Sequence, residues 1–260
     1  MSILKHAHTT LFFLWASARD PAVALQMWRG QTRRYLWKLV PKATRETVLS
    51  RRSIVDRSAL DKILSDSVFL PEDFQRHSCI FIHVPKCAGS SIKTALFPQR
   101  TQGHMPLWFY ERSFPEFFER AYKFCFVRNP LDRAYSAYRY LCSSNRGPRD
   151  LAAHNLVTGY DSFDRFVQHW LCEENAHRQI HFAPQWEFLC DSLGQVRMDY
   201  IGRQETIVED FRHVCASLGV DAALEAVNVS ETKPQAMTFE TRTIDRIRRV
   251  YERDYELFGY

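Results

Sequence analysis

Residues 79–96 read CIFIHVPKCAGSSIKTAL, and the order of chemistry in this stretch sets the fold. Cys79 to Val84 form a short apolar run, rich in Ile, Phe and Val and bounded by Pro85, which reads as a buried strand. After the turn, SSIKTAL (90–96) offers Ser90 as a helix cap and Ile92, Ala95 and Leu96 as an apolar face. A buried strand feeding through a Gly/Ser turn into a helix is the unit from which parallel sheets are assembled.

The same signature recurs on the C-terminal side. KFCFV (123–127) reads as a second buried strand, and Pro130 opens the helix PLDRAYSAYRYL (130–141). Between them, Ser113 can cap a helix that has Pro115 in its first turn and carries Phe117, Phe118 and Tyr122. Phe163, Phe166, Val167 and Trp170 recur at helical spacing. MDYIG (198–202) suggests a third strand, followed by a helix with Ile207, Val208, Phe211, Val214, Cys215 and Leu218 inward and Gly219 just past its end. Ile244, Ile247, Tyr251, Tyr255 and Phe258 form a last helical stripe, expected to close the sheet. The expectation is one α/β domain over residues 78–260, a P-loop-like three-layer fold with a central parallel sheet flanked by helices. Residues 1–77 read as a basic, helical N-terminal extension and connector.

The chain has 260 residues, 45% hydrophobic and 14% aromatic, enough for a full core. Its net charge of +5 is uneven: residues 1–60 hold eleven Lys and Arg against three acids (+8), leaving −3 for the rest. A bound anion must therefore be held by local geometry, and a nucleic-acid binder with a broad basic face is excluded. The seven cysteines (79, 87, 125, 142, 172, 190, 215) have no paired close spacing, so neither a disulfide framework nor a zinc site is indicated. The longest early apolar run, Leu11 to Ala16, is far short of the ~20 residues that cross a bilayer, and shorter than a signal-peptide core. Residues 21–40 mix Trp28, Tyr35 and Trp37 with Arg29, Arg33, Arg34 and Lys38, as a basic helix packed on the domain or one resting on an anionic membrane would.

HVPKCAGSS (83–91) is the first chemical site. A turn between a parallel strand and a helix gathers backbone N–H groups at the positive end of the helix dipole, which favours a phosphate. Gly89 admits the anion closely, Ser90 and Ser91 add hydroxyls, and Lys86 adds a full charge. The lysine precedes the glycine, so this is not the triphosphatase loop GxxxxGK[ST], and no downstream Mg-binding acid is evident. FVRNPLDRAYSAY (126–138) is the second site. Arg128 falls at the carboxyl end of the second strand, and Ser136 shares a helical face with Arg133 and Tyr140. Arg128 and Ser136 would clasp a second anion, the competing reading being an Arg128–Asp132 pair. Two anion sites on adjoining strands point to a ligand with two separated phosphates.

These two motifs resemble the donor-binding signatures of the carbohydrate sulfotransferases, the group that includes heparan 2-O, chondroitin and dermatan sulfotransferases and bacterial relatives. The similarity continues through HFAPQWEFL (181–189), YIGRQETIVEDF (200–211), NVS (228–230) and YERDYELFGY (251–260). It implies 3'-phosphoadenosine 5'-phosphosulfate as donor and a glycan, polysaccharide or glycolipid hydroxyl as acceptor. Lys86, with the amides and hydroxyls of Cys87, Ala88, Gly89, Ser90 and Ser91, would bind the 5'-phosphosulfate. Arg128 and Ser136 would hold the 3'-phosphate, with Lys233 in a late basic loop. His104 in TQGHMPL stands where relatives carry a catalytic base, and His181 is the second candidate, or lines the acceptor side with Gln185. No metal is expected, although His177 and His181 are spaced i, i+4. Arg203 and Glu205 suggest an ion pair at the third strand's end. The lack of an anchor suggests a cytoplasmic, bacterial-type enzyme, with membrane contact through residues 21–40 as one option and the Golgi lumen as the alternative location. The rivals are a nucleotide-dependent kinase and an inactive nucleotide- or glycan-binding module on the same fold.

Overall fold

The computed structural model describes residues 40–41, 70–98, 103–144, 147, 150–224 and 238–260. Three parallel strands lie in the order β1 (Cys79–Ile82), β2 (Tyr122–Val127), β3 (Tyr200–Arg203). Ile82 pairs with Cys125 and Cys125 with Ile201, so the carboxyl ends of all three emerge at one edge. β1 is buried throughout and β2 from its second residue onward, as strands covered by helices on both faces must be. Lys123 tolerates this burial because its ammonium donates to the carbonyls of Ala121 (2.7 Å) and Phe118 (3.2 Å) and pairs with Asp199 at 3.1 Å.

Helices fill every crossover, which makes this an α/β fold. α1 (Glu72–His77) packs on β1 and sets Phe74 edge-on to Phe97. α2 (Gly89–Leu96) leaves β1; α3 (Leu107–Ser113) and α4 (Pro115–Arg120) lead into β2; α5 (Pro130–Cys142) leaves it. The return to β3 runs through α6 (Leu151–Thr158), α7 (Phe163–His169), α8 (Glu173–Ala176) and α9 (Gln185–Leu189). α10 (Ile207–Leu218), α11 (Thr241–Val250) and α12 (Glu252–Phe258) complete the chain.

Several local expectations shift. α2 starts one residue before Ser90, on a left-handed Ala88 and with no side-chain cap. Pro115 does occupy the first turn of α4, but Phe114 holds the cap position, Ser113 ends α3 and Tyr122 begins β2. In α10, Phe211, Val214 and Cys215 face inward and Gly219 adopts the left-handed C-cap (φ 65°), whereas Val208 in the first turn is 64% exposed. The last stripe breaks at Tyr251, and α11 packs mainly on α5 and α7. Ile247 and Tyr251 join Ala134, Ala137, Phe166 and Phe182 in a helical core beside the sheet, instead of closing the sheet itself.

Residues 21–39 and Lys233 fall outside the described residues. Among the described residues no helix is long and apolar enough to cross a membrane.

Candidate active site

The β1–α2 turn has a backbone made for an anion. Lys86 (φ 67°) and Ala88 (φ 58°) both lie in the left-handed region, which costs a side-chain-bearing residue roughly 1–2 kcal/mol each. Alternating handedness turns successive N–H groups toward one concavity, and the uncapped start of α2 adds its dipole there. Gly89 has another reason for being glycine than the approach of an anion. A Cβ at that position would fall 1.9 Å from Cδ2 of His83, whose ring lies directly against the α2 backbone.

His83 in turn fixes His104. The His83 ring is buried, stacked on Phe81 and 4.3 Å from the His104 ring. His104 Nδ1 lies 2.8 Å from the His83 carbonyl. A carbonyl only accepts, so Nδ1 carries the proton; in the neutral ring the lone pair is then on Nε2, the tautomer a general base needs.

Below the turn, Cys87 points away from the concavity. Its buried Sγ donates to Gln185 Oε1 (3.2 Å), and burial pushes the thiol up to about 12, so only its amide faces the turn. The same Gln185 oxygen accepts from Arg128 N–H (2.9 Å), and Gln185 Nε2 donates to the Arg128 carbonyl (2.8 Å). One fully buried amide thus clamps the turns after β1 and β2 together. Asp254 of α12, also fully buried, accepts from the N–H groups of Gln185 (2.8 Å) and Trp186 (2.9 Å), and burial raises its carboxyl. Arg133 donates to the carbonyls of His181 (3.3 Å) and Ala183 (2.7 Å), and Tyr251 to that of Phe182 (2.7 Å). HFAPQWEFL and YERDYELFGY are therefore two halves of one brace, and Gln185 lies beneath the site, not on an acceptor wall.

Above the turn, charges gather. The Lys86 ammonium sits 4.1 Å over the Tyr140 ring. Burial first, and then the nearby Arg128 charge, lower its pKa to about 8, while Cys87 and Asp150 pull it the other way. Among the described residues neither Lys86 nor the Arg128 guanidinium meets a carboxylate in an ion pair, and the Arg128–Asp132 alternative is not formed. Asn129 instead caps α5 with its side chain. Ser136 is half-buried on the face of α5 that also carries Arg133 and Tyr140. Asp150 accepts from Tyr140 hydroxyl (2.9 Å) and from His181 Nε2 (2.9 Å), and these contacts hold its carboxyl below the usual range against the cost of burial. His181 is 7% exposed.

Two other expectations change partners. Arg203 donates to the Phe258 carbonyl and lies 4.7 Å over the Tyr260 ring, while Glu205 accepts from Asn129 N–H (2.7 Å) and Tyr260 hydroxyl (2.9 Å). They steady the strand end separately. His177 meets Glu187 at 2.5 Å while His181 meets Asp150, so the i, i+4 histidines diverge; no metal-holding group occurs among the described residues. Tyr140, Asp150, Arg133, Asp254 and His83 went unread as site residues because their partners lie far off in sequence. Tyr140 and Arg133, on the face of Ser136, and His83, inside the first motif, carried a local signal.

At one edge of a parallel sheet, then, stand a turn of alternating handedness, two cations with no carboxylate partner among the described residues, and a histidine whose Nδ1 proton is held by a backbone carbonyl. Residues 73–260 match the family model described as the sulfotransferase family, and the chain belongs to that family, whose chemistry is sulfonate transfer. No curated protein and no solved structure matches it.

Proposed function

We propose that this protein transfers sulfonate from 3'-phosphoadenosine 5'-phosphosulfate to a hydroxyl of a carbohydrate or glycolipid acceptor. The observation that carries the reading is the convergence of Lys86 and Arg128, one on each of two adjoining strand-end turns, close enough that the Arg128 charge acts on Lys86, and without carboxylate partners among the described residues. Like charges held together in a partly buried site are costly unless an anion joins them. The left-handed pair at Lys86 and Ala88 fits one phosphate group, and Arg128 with Ser136 fits the second.

In this reading the donor supplies an activated sulfonate, and the chain supplies placement and charge. The acceptor oxygen bonds to sulfur as the bond from sulfur to the 5'-phosphate oxygen breaks. Lys86 neutralises the charge building on that departing oxygen. His104 Nε2 takes the acceptor's proton, and its Nδ1–H stays on the His83 carbonyl throughout. The sulfonate carries a single negative charge, so the reaction asks less of a cation than phosphoryl transfer does. The carbohydrate acceptor rests on the motif resemblance. His181 is the poorer candidate: its Nε2 donates to Asp150, and Nδ1, the atom left to take a proton, is buried.

The test is donor-dependent labelling of a panel of glycans and lipid-linked sugars by wild type, Lys86→Ala and His104→Ala. Loss of about 100-fold or more is expected in each variant, since Lys86→Ala removes the charge that meets the donor and its departing oxygen, and His104→Ala removes the base. Retained activity in either variant overturns its role, and turnover with ATP and Mg in place of the sulfonate donor overturns the reading.

A further inference from the structure

Lys86 and Asp150 are the cation and the carboxylate that a buried site would ordinarily join, and in this structure they are kept apart. Tyr140 stands between them. Its ring face carries the Lys86 ammonium at 4.1 Å, and its hydroxyl donates to Asp150 Oδ2 at 2.9 Å while accepting from Gly147 N–H at 3.1 Å. The other Asp150 oxygen is held by His181 Nε2 at 2.9 Å, so both oxygens already have donors. Lys86 still feels the Asp150 charge, yet no Lys86–Asp150 ion pair forms among the described residues.

We propose that Tyr140 is a positioning residue that insulates Lys86 from Asp150 and so keeps the ammonium available to an incoming phosphate. This inference rests on the nucleotide-binding reading above. An aromatic face holds an ammonium by its quadrupole without neutralising it, and it gives up that contact to a phosphate far more readily than a carboxylate would. Without the hydroxyl, Asp150 Oδ2 loses a donor in a partly buried place, and Lys86, whose ammonium already feels the Asp150 charge, is a cation to replace it. The donor phosphate would then have to displace an ion pair before binding.

The experiment needs no acceptor. Adenosine 3',5'-bisphosphate is titrated calorimetrically into wild type, Tyr140→Phe, Asp150→Asn and the double variant Tyr140→Phe/Asp150→Asn, with thermal unfolding of each measured alongside. Tyr140→Phe should weaken binding about tenfold, the cost of breaking a new ion pair, and the double variant should return to within about threefold of wild type. Asparagine keeps an acceptor for His181 but offers no charge to Lys86. A merely structural role for Tyr140 predicts the opposite, with the double variant no better than Tyr140→Phe.

A second measurement is independent of nucleotide: the rate at which an amine-acylating reagent labels Lys86, read by peptide mass spectrometry near pH 8. Labelling should slow in Tyr140→Phe, where pairing with Asp150 holds the amine protonated, and recover in the double variant. Unchanged labelling in Tyr140→Phe, or failure of Asp150→Asn to restore it, overturns the inference. If wild type does not bind the bisphosphate while the labelling pattern holds, the nucleotide reading fails and the insulation of Lys86 stands.

Discussion

The turns after β1 and β2 occupy equivalent places in the fold and use their helices in opposite ways. At the first, α2 begins on a left-handed Ala88 with no side chain capping it. At the second, Asn129 Oδ1 accepts from Leu131 N–H (3.0 Å) and Asp132 N–H (3.4 Å), so α5 is closed by its own sequence. In the proposed reading, an anion at the first turn would meet backbone and dipole as well as Lys86, whereas at the second it would have only side chains to meet it. The difference divides the labour: the first turn would provide shape together with charge, the second a side-chain charge alone.

The sharpest way to break the contrast is to spoil the shape. Gly89→Ala drives a methyl into the His83 ring, and His83 anchors His104 in turn. We expect a stability loss of about 3 kcal/mol together with loss of bisphosphate binding, seen by chemical denaturation and calorimetry. Wild-type stability in this variant would mean that His83 can leave Gly89 freely.

Arg128→Ala tests the other half. Both backbone contacts of Arg128 to Gln185 survive the substitution. Stability should therefore change by less than about 0.5 kcal/mol. Bisphosphate affinity should fall about 10- to 100-fold, with much less effect on an analogue lacking the 3'-phosphate. Equal losses for both ligands would remove Arg128 from the 3'-phosphate.

The smallest effect belongs to the cap. Asn129→Ala should cost about 1 kcal/mol in denaturant unfolding, with bisphosphate binding nearly unchanged. A large affinity change here would show that the second turn also binds through its backbone.

The strand-turn-helix units were legible in the sequence because their signals are local: an apolar run, a Pro or Gly, then a helical stripe. Lys86, Arg128 and Ser136 could be singled out for the same reason. What lay hidden is long-range. Gln185 reads as a polar residue near a histidine, and nothing around it announces that its amide will be buried beneath two strand-end turns. A second requirement for Gly89 lay hidden similarly, because the ring that forbids a Cβ stands six residues earlier on the other side of a turn whose handedness no propensity predicts. The closing helices were expected on the sheet because an apolar stripe records that a face is buried, not what buries it.

The brace under the site also bears on how the protein is made. Cys87 reaches Gln185 across 98 residues, and Gln185 reaches Asp254 across a further 69. The chain leaves the ribosome from its N-terminus, so the loop containing Lys86 is synthesised early and stays without its lower support until Asp254 has emerged. Until then, two left-handed residues must hold their backbone strain unaided. A nascent chain released short of Asp254 would contain every motif residue of the two turns and still lack the support that shapes them, so the shape of the Lys86 loop reports finished folding.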